Sequence, residues 1–275
     1  MRRPLARLLP ALAALLCLFS GAVASRAVDS PVIQRVVQSG ALRIGMTGSQ
    51  PPFTMRSRSG EWMGLDVDLA KMLAGSMGAR PKFVRKAFAE LLPALDAGEV
   101  DVVISGVTIT PQRNMKYAFV GPYMISGKSI LTTSKLVAQV KESGDLDKPN
   151  LKLAALRDST SQLFVEKVVP QAKLMKVKDY DEGVALVRSG KADALVADLP
   201  ICLLTVLRNP KAGLATLAEP LTIEPIGIGV PAGDPLFVNL LTNLLGAMQG
   251  TGVLKSLQDK WFASSDWLSQ LPDEP

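Results

Sequence analysis

The sequence predicts an α/β fold of two Rossmann-like lobes with a ligand cleft between them. Three observations predict it. Short strands rich in branched apolar residues alternate with amphipathic helices, the alternation begins again after residue 150, and two corresponding segments occupy the same place in each round, namely Gly98-Glu99-Val100-Asp101-Val102 and Gly190-Lys191-Ala192-Asp193-Ala194. Strands alternating with helices at short intervals indicate parallel sheets that are covered by helices.

The N-terminus has the pattern of an export signal. Arg2, Arg3 and Arg7 precede an apolar run from Leu8 to Phe19, and Ala22-Val23-Ala24 forms a small-residue cleavage site. An uncleaved membrane anchor is the alternative, but the apolar run falls short of the roughly 20 residues that a membrane span needs. We therefore expect residues 1–24 to be a signal peptide, cleaved after Ala24, and the mature protein to be periplasmic.

The first round of the alternation contains three strands and two helices. The predicted order is strand 41–46, helix 65–77, strand 81–85, helix 88–97 and strand 100–104. Leu65, Leu69 and Leu73 recur at helical spacing, which gives the first of these helices one buried face. Asp66 and Asp68 lie in its first turn, where we interpret them as carboxylates that stabilise the helix dipole rather than as metal ligands.

The second round repeats this layout before the chain returns to the first lobe. The predicted order is strand 151–156, helix 159–170, strand 174–178, helix 180–189, strand 192–197, helix 199–208, extended segment 215–221, strand 226–230 and helices 235–248 and 253–262. The last three elements most simply rejoin the first lobe, so the chain crosses between lobes near Ser126 and near Pro225. We predict lobe 1 as residues 25–125 plus 225–275 and lobe 2 as residues 126–224, with the two crossovers forming a hinge.

The composition excludes several classes of function. The chain has no histidine, which removes the commonest general base and nearly all catalytic zinc sites. Part of the net charge of +6 belongs to the leader, so nothing points to nucleic acid. Cys202 lies among apolar residues, where a thiol packs and does not react. No Walker or dinucleotide motif is present, and we expect no catalytic residue, no metal and no cofactor.

The stretch from Ser105 to Arg113 has the features of an anion receptor. It follows a buried strand, Gly106 lets a ligand approach the backbone, Thr108 supplies a hydroxyl, and Thr110 caps a helix whose first turn carries Arg113. Backbone amides, a hydroxyl and a guanidinium at one point suit a small carboxylate. The alternative is a capped turn with a surface arginine, which needs no ligand.

Six segments together resemble one family, the periplasmic solute-binding proteins of ABC importers for polar amino acids, with the type II periplasmic binding fold. They are Leu42-Arg43-Ile44-Gly45, Pro51-Pro52-Phe53, Gly64-Leu65-Asp66-Val67-Asp68-Leu69-Ala70, Leu92-Pro93-Ala94-Leu95, Ile109-Thr110-Pro111-Gln112-Arg113 and Gly190-Lys191-Ala192-Asp193-Ala194. The resemblance implies that the partners are a small amino acid and a permease in the inner membrane, and we expect the binding protein to be a monomer.

The resemblance also assigns ligand-binding roles. It implies that Arg113 pairs with the ligand α-carboxylate, that Asp198 accepts the α-ammonium group, and that Phe88 covers the ligand side chain. The full set that we predict is Gln50, Phe88, Ser105, Gly106, Thr108, Arg113, Ser159, Thr160 and Asp198. Ordinary structural roles stay open: Asp198 as a helix cap, Phe88 as core, and Ser159 and Thr160 as caps.

Three positions depart from the family pattern. Gln50 stands where an aromatic residue is common, so one wall of the pocket is polar. Thr47 stands where binders of basic amino acids tend to have an acidic residue, which argues against lysine or arginine as ligand. Arg157 precedes Asp158 at the cleft mouth and either favours an acidic ligand or points to solvent; we prefer the second, with Asp158 as its ion-pair partner.

Two other functions compete with transport. One is a cyclohexadienyl dehydratase on the same fold, with Asp198 as general acid and arogenate or prephenate as substrate; an acid paired with an ammonium would be ionised and unsuited to donating a proton. The other is a sensing module that docks to a membrane kinase.

Overall fold

The computed structural model describes residues 30–135 and 137–272. The predicted signal peptide therefore lies outside the described residues. Within the described ranges, every helix is too short or too polar to cross a membrane.

The first sheet has five strands in the order β4-β1-β5-β12-β6. Its strands are β1 (Ala41–Met46), β4 (Arg80–Arg85), β5 (Val102–Val103), β6 (Ala118–Ser126) and β12 (Glu224–Val230), while β2 (Met55–Arg56) and β3 (Trp62–Met63) form a separate hairpin. Strand β1 pairs in parallel with β4 and β5, whereas β12 pairs antiparallel with β5 and β6. The three strands of the strand-helix-strand-helix-strand run are parallel, which confirms the prediction for that run. The sheet as a whole is mixed, because the chain leaves and re-enters the lobe through β6 and β12, which pair antiparallel.

The second sheet has the order β11-β7-β10-β8-β9. Its strands are β7 (Lys128–Thr132), β8 (Lys152–Leu156), β9 (Lys173–Val177), β10 (Ala194–Asp198) and β11 (Ala215–Thr216). Strands β8, β9 and β10 are parallel, and β7 runs antiparallel to both β10 and β11. The two sheets confirm the two-lobed α/β architecture, although the precise lobe boundaries stay a prediction.

The helices follow the predicted order closely. They are α1 (Pro31–Ser39), α2 (Leu65–Ser76), α3 (Leu91–Asp96), α4 (Pro111–Asn114), α5 (Thr160–Lys167), α6 (Tyr180–Arg188), α7 (Leu199–Arg208), α8 (Pro235–Gly250) and α9 (Val253–Gln258). A short 3-10 turn at Phe88–Glu90 precedes α3, so the predicted helix 88–97 is two pieces. Helix α1 was not predicted, although Ser30 caps it and Pro31 occupies its first position.

Two crossovers join the lobes, and they are bonded to each other. The first is Gly127, between β6 and β7, and the second runs from residue 217 into β12. The amide of Lys128 donates to Thr222 Oγ1 at 2.9 Å, and the amide of Leu221 donates to the Lys128 carbonyl at 2.7 Å. A Cβ atom on Gly127 would lie 2.1 Å from the carbonyl oxygen of Thr222, so only glycine fits there. The hinge is therefore a tightly packed pair of segments.

Candidate functional site

The candidate site lies where loops leave the carboxyl ends of strands in both sheets. Gln50 follows β1, Phe88 follows β4, Ser105 follows β5, Ser159 follows β8, and Asp198 ends β10. In open α/β sheets this is the edge at which ligands bind. The predicted residues of both lobes therefore lie at the sheet edges where ligands bind in such folds.

A buried carboxylate fixes the turn at Gly106. Asp66 is fully buried; its Oδ2 accepts from the Gly106 amide at 2.7 Å and its Oδ1 from the Tyr123 hydroxyl at 2.8 Å. Burial raises the pKa of Asp66 to about 7, and these two donors oppose the increase. Our interpretation of Asp66 and Asp68 as dipole-stabilising carboxylates was incomplete, because Asp68 also makes tertiary bonds, to Lys260 Nζ and to Trp261 Nε1.

The hydrogen bond to Asp66 also determines whether the Gly106 amide can bind a ligand. Gly106 has φ 59°, the left-handed conformation that glycine tolerates best, so its backbone makes the tight turn that the sequence predicts. Its amide, however, is already bonded to Asp66 and is not a free donor. Gly106 thus shapes the receptor and leaves the donation of hydrogen bonds to its neighbours.

Gln50 and Ser105 belong to one buried polar network. Gln50 Oε1 accepts from the hydroxyls of Thr47 and Ser105, each at 2.8 Å, and the Ser105 hydroxyl oxygen accepts from the Thr47 amide at 3.1 Å. Burial raises the pKa of the Tyr180 phenol, from the second lobe, well above its usual value, and the Gln50 side chain opposes the increase. The polar wall that we predicted at Gln50 is therefore fixed by its own hydrogen bonds.

Arg113 lies between the lobes with its charge unpaired. The Thr110 side chain caps α4, accepting from the Arg113 amide at 3.2 Å, as predicted. The guanidinium donates to the Thr108 carbonyl at 2.8 Å and to the Asp158 carbonyl, in the other lobe, at 3.3 Å. No carboxylate of the described ranges lies within ion-pair distance of it. Burial lowers the pKa of Arg113, while Glu224 and Asp198 oppose the decrease.

The start of α5 supplies the second lobe's contribution. Ser159 caps the helix through a bond from the Gln162 amide at 3.2 Å, and its own hydroxyl donates to the Leu156 carbonyl at 2.6 Å. The Thr160 hydroxyl lies 3.2 Å from the Thr108 hydroxyl of the first lobe. Capping accounts for the Ser159 side chain. The Thr160 hydroxyl instead contacts Thr108 of the opposite lobe, whose carbonyl accepts from Arg113.

Asp198 is paired in a way that the sequence did not reveal. It begins α7 without capping it, and its Oδ1 lies 2.6 Å from Lys128 Nζ. The same Nζ lies 3.7 Å from Glu224 Oε2, and all three side chains are buried. Burial raises the pKa of Asp198, while the ammonium of Lys128 opposes the increase. In the sequence, Lys128 stands in the connection around Gly127 and Glu224 stands just before the predicted strand 226–230, so we missed both.

Phe88 closes one side of the site and borders a cavity. Its ring centroid lies 5.9 Å from the Arg113 guanidinium carbon, and its partly buried side chain also packs against the hydrophobic core. Phe88 and Gln50 both line an interlobe cavity of about 250 Å³. Arg157 is exposed, and within the described chain it forms no ion pair with Asp158, contrary to our expectation.

Cys202 plays no part in the site. Its side chain is buried in the core of the second lobe, and burial raises the pKa of its thiol to about 12. A thiol with so high a pKa is not a nucleophile near neutral pH, as the sequence indicates.

Comparison with known proteins identifies a family. Residues 42–264 match the family described as bacterial extracellular solute-binding proteins, family 3. The L-cystine-binding protein TcyJ of Escherichia coli is 26% identical over 239 residues, which are 86% of this chain and 88% of TcyJ. The cyclohexadienyl dehydratase of Pseudomonas aeruginosa is 25% identical over 248 residues, which are 90% of this chain and 92% of that enzyme.

Solved structures give the same result. An ancestral arginine-binding protein bound to arginine superposes with a TM-score of 0.76 and 33% identity, over 81% of this chain and 98% of its own. An ancestral amino acid-binding protein, a precursor of cyclohexadienyl dehydratase, superposes with a TM-score of 0.76 and 34% identity, over 84% of this chain and 99% of its own. These relatives confirm the type II periplasmic binding fold. The chain belongs to the bacterial extracellular solute-binding proteins of family 3.

Proposed function

We propose that the protein binds the backbone zwitterion of an amino acid between its lobes and delivers the amino acid to an ABC permease in the inner membrane. The observation that carries the proposal is the partly buried guanidinium of Arg113, whose bonds in the described structure go to backbone carbonyls and not to a carboxylate. A desolvated cation without an ion pair favours an anionic ligand. The ligand carboxylate supplies the missing partner through bidentate hydrogen bonds.

The charges around Arg113 favour a zwitterion over a simple anion. Arg113 and Lys128 carry two positive charges, and Asp198 and Glu224 carry two negative charges. When a ligand carboxylate neutralises Arg113, the other three groups keep one net negative charge. That charge matches one α-ammonium group, which Asp198 and Glu224 accept together.

Binding and closure are coupled because both lobes supply the site. Gln50, Phe88, Ser105, Gly106, Thr108 and Arg113 belong to the first sheet's lobe, and Ser159, Thr160 and Asp198 to the other. Thr108 and Thr160 already contact each other across the cleft. A ligand that touches both lobes stabilises the closed arrangement relative to the open one. The closed form is then the one that the permease would recognise as loaded.

The first test is a thermal-shift screen of the mature protein against the standard amino acids. An amino acid present at 100 times its dissociation constant should stabilise the protein by about 2.7 kcal/mol. Stabilisation by none of them would contradict the proposal. Uptake of the stabilising amino acid by cells with and without the gene then tests delivery to a permease.

Arg113→Ala should weaken binding of the stabilising amino acid by about 100-fold or more, since a charged bidentate contact is lost in a closed site. Arg80→Ala is the matched control, because Arg80 is an exposed arginine at the start of β4. Calorimetric titration measures both variants. Near-native affinity in the Arg113 variant would refute the assigned role.

A second candidate function is a dehydratase, which the relation to cyclohexadienyl dehydratase favours. Asp198 is its candidate acid. Burial raises the pKa of this group, as an acid requires, but the ammonium of Lys128, 2.6 Å from Asp198 Oδ1, stabilises the ionised form. Incubation with prephenate and with arogenate, followed by absorbance of an aromatic product, separates the two functions. We expect no product, and turnover would replace the receptor proposal.

A further inference from the structure

The interlobe cavity beside Phe88 is lined from both lobes. The first lobe contributes the loop after β1 and the segment from Arg85 to Glu90, and the second contributes Leu156 and the segment from Lys178 to Tyr180. Arg113 does not line this cavity, but it lies 5.9 Å from the ring of Phe88, which does. The side chain of a ligand held by Arg113 would therefore pass the Phe88 ring to enter the cavity. The volume of about 250 Å³ accommodates a side chain of several carbons.

The charged groups of this cavity differ in whether they have a hydrogen-bond or ion-pair partner. The two carboxylates have backbone donors: Glu90 accepts from the Ala87 amide at 3.0 Å, and Asp179 from the Glu182 amide at 2.9 Å. Lys86 pairs with Glu99, outside the cavity. In the part of the chain that the structure describes, Arg85 and Lys178 have no carboxylate partner. Two exposed cations, one from each lobe, thus line the cavity without a carboxylate partner in the described ranges.

We propose that this cavity binds the anionic end of an acidic amino acid, with Arg85 and Lys178 holding the distal carboxylate from opposite lobes. The inference rests on the proposed function and specifies its ligand class. A carboxylate satisfies both cations at once, and contacts to two lobes add to the stabilisation of the closed form. A cationic side chain would instead meet two like charges, which costs affinity. The two carboxylates of the cavity, Glu90 and Asp179, already accept backbone hydrogen bonds, and Thr47 adds no further negative charge.

The test compares probes that differ in charge and hardly in size. Calorimetric titrations of the mature protein use L-aspartate, L-glutamate and L-2-aminoadipate as acidic probes, L-glutamine as the neutral counterpart of glutamate, and L-arginine as the cationic probe. At least one acidic probe should bind about tenfold or more tightly than L-glutamine, because a hydrogen bond to a charged group is stronger than one to a neutral amide. L-arginine should bind most weakly.

Variants locate the preference. Arg85→Gln and Lys178→Gln should each weaken binding of the best acidic probe by about tenfold and leave any binding of L-glutamine within about twofold. Lys71→Gln is the matched control, since Lys71 is an exposed lysine on α2, away from the cavity, and the variant should bind every probe as the wild type does.

The outcomes separate this inference from the proposed function. If L-glutamine or L-arginine binds as tightly as every acidic probe, or if neither cavity variant changes the acidic preference, this inference is overturned while the amino acid receptor stands. If no amino acid binds, both are overturned.

Discussion

Asp66→Asn should abolish a pH dependence of stability that the buried carboxyl imposes on the whole protein. The pKa of Asp66 rises from 3.8 to about 7 on folding, because the side chain is fully removed from water. Between these two values the folded protein binds a proton that the unfolded chain does not. Stability therefore falls as pH rises from about 4 to about 7. Asparagine keeps an acceptor for Gly106 and cannot ionise, so it imitates the protonated acid at every pH.

The size of the effect follows from the shift. Each pKa unit corresponds to about 1.4 kcal/mol, so the complete window amounts to about 4 kcal/mol. Between pH 5 and pH 8, the ionisation of Asp66 lowers the free energy of unfolding by roughly 3 kcal/mol. That is a substantial part of the roughly 5–15 kcal/mol by which domains are stable. At pH 8 the asparagine variant should exceed the wild type by about this amount, relative to their difference at pH 5.

Urea unfolding followed by tryptophan fluorescence at pH 5, 6, 7 and 8, at constant ionic strength, measures the difference between the two proteins. Other titrating groups cancel in that difference. Tyr123→Phe provides a second arm: it removes a donor that lowers the pKa of Asp66, so the loss of stability should move to higher pH. A difference that stays constant across the range, or that grows in favour of the wild type at high pH, would refute the reasoning.

Further predictions concern the hinge. Gly127→Ala should destabilise the protein by about 1–3 kcal/mol in urea unfolding, since its Cβ would lie 2.1 Å from the Thr222 carbonyl oxygen; Gly246→Ala, in open space on α8, is the control and should stabilise by about 0.5–1 kcal/mol. Equal effects of the two substitutions would contradict the packing argument. Lys128→Met should cost about 3–5 kcal/mol at pH 8, because it leaves Asp198 buried without its partner, and less at pH 5, where the carboxyl takes up a proton. A loss below about 1 kcal/mol at pH 8, measured by the same unfolding titration, would show that the pair is not desolvated.

Much of the fold could be predicted because local signals determine it. Strand β1 and helix α7 begin and end at the predicted residues. The apolar run of β1 ends at Thr47, and Pro200 marks the first turn of α7. Strand direction at the lobe exits could not be predicted. Whether β6 and β12 run with or against their neighbours depends on where the chain crosses, and no local pattern encodes that.

The candidate site was predictable where a residue stands next to a turn signal. Thr110 and Ser159 cap helices in both the prediction and the structure. Lys128 and Glu224 were not found, because they come together only in the folded chain. Asp198 and Glu224, the two carboxylates nearest to the Lys128 ammonium, stand 70 and 96 positions after Lys128 in the sequence. Asp66 looked like an ordinary first-turn carboxylate, and only the folded chain brings it to the Gly106 amide, 40 positions away.

The bonding between the two crossovers restricts how the cleft can open. Because Lys128 and Thr222 hold the connections side by side, and strands β6 and β12 continue the pairing into the first sheet, the lobes cannot slide past each other without breaking main-chain bonds. We expect them to rotate about the axis of the paired segment, as one degree of freedom. A single distance between one labelled side chain on each lobe would then report the entire opening motion.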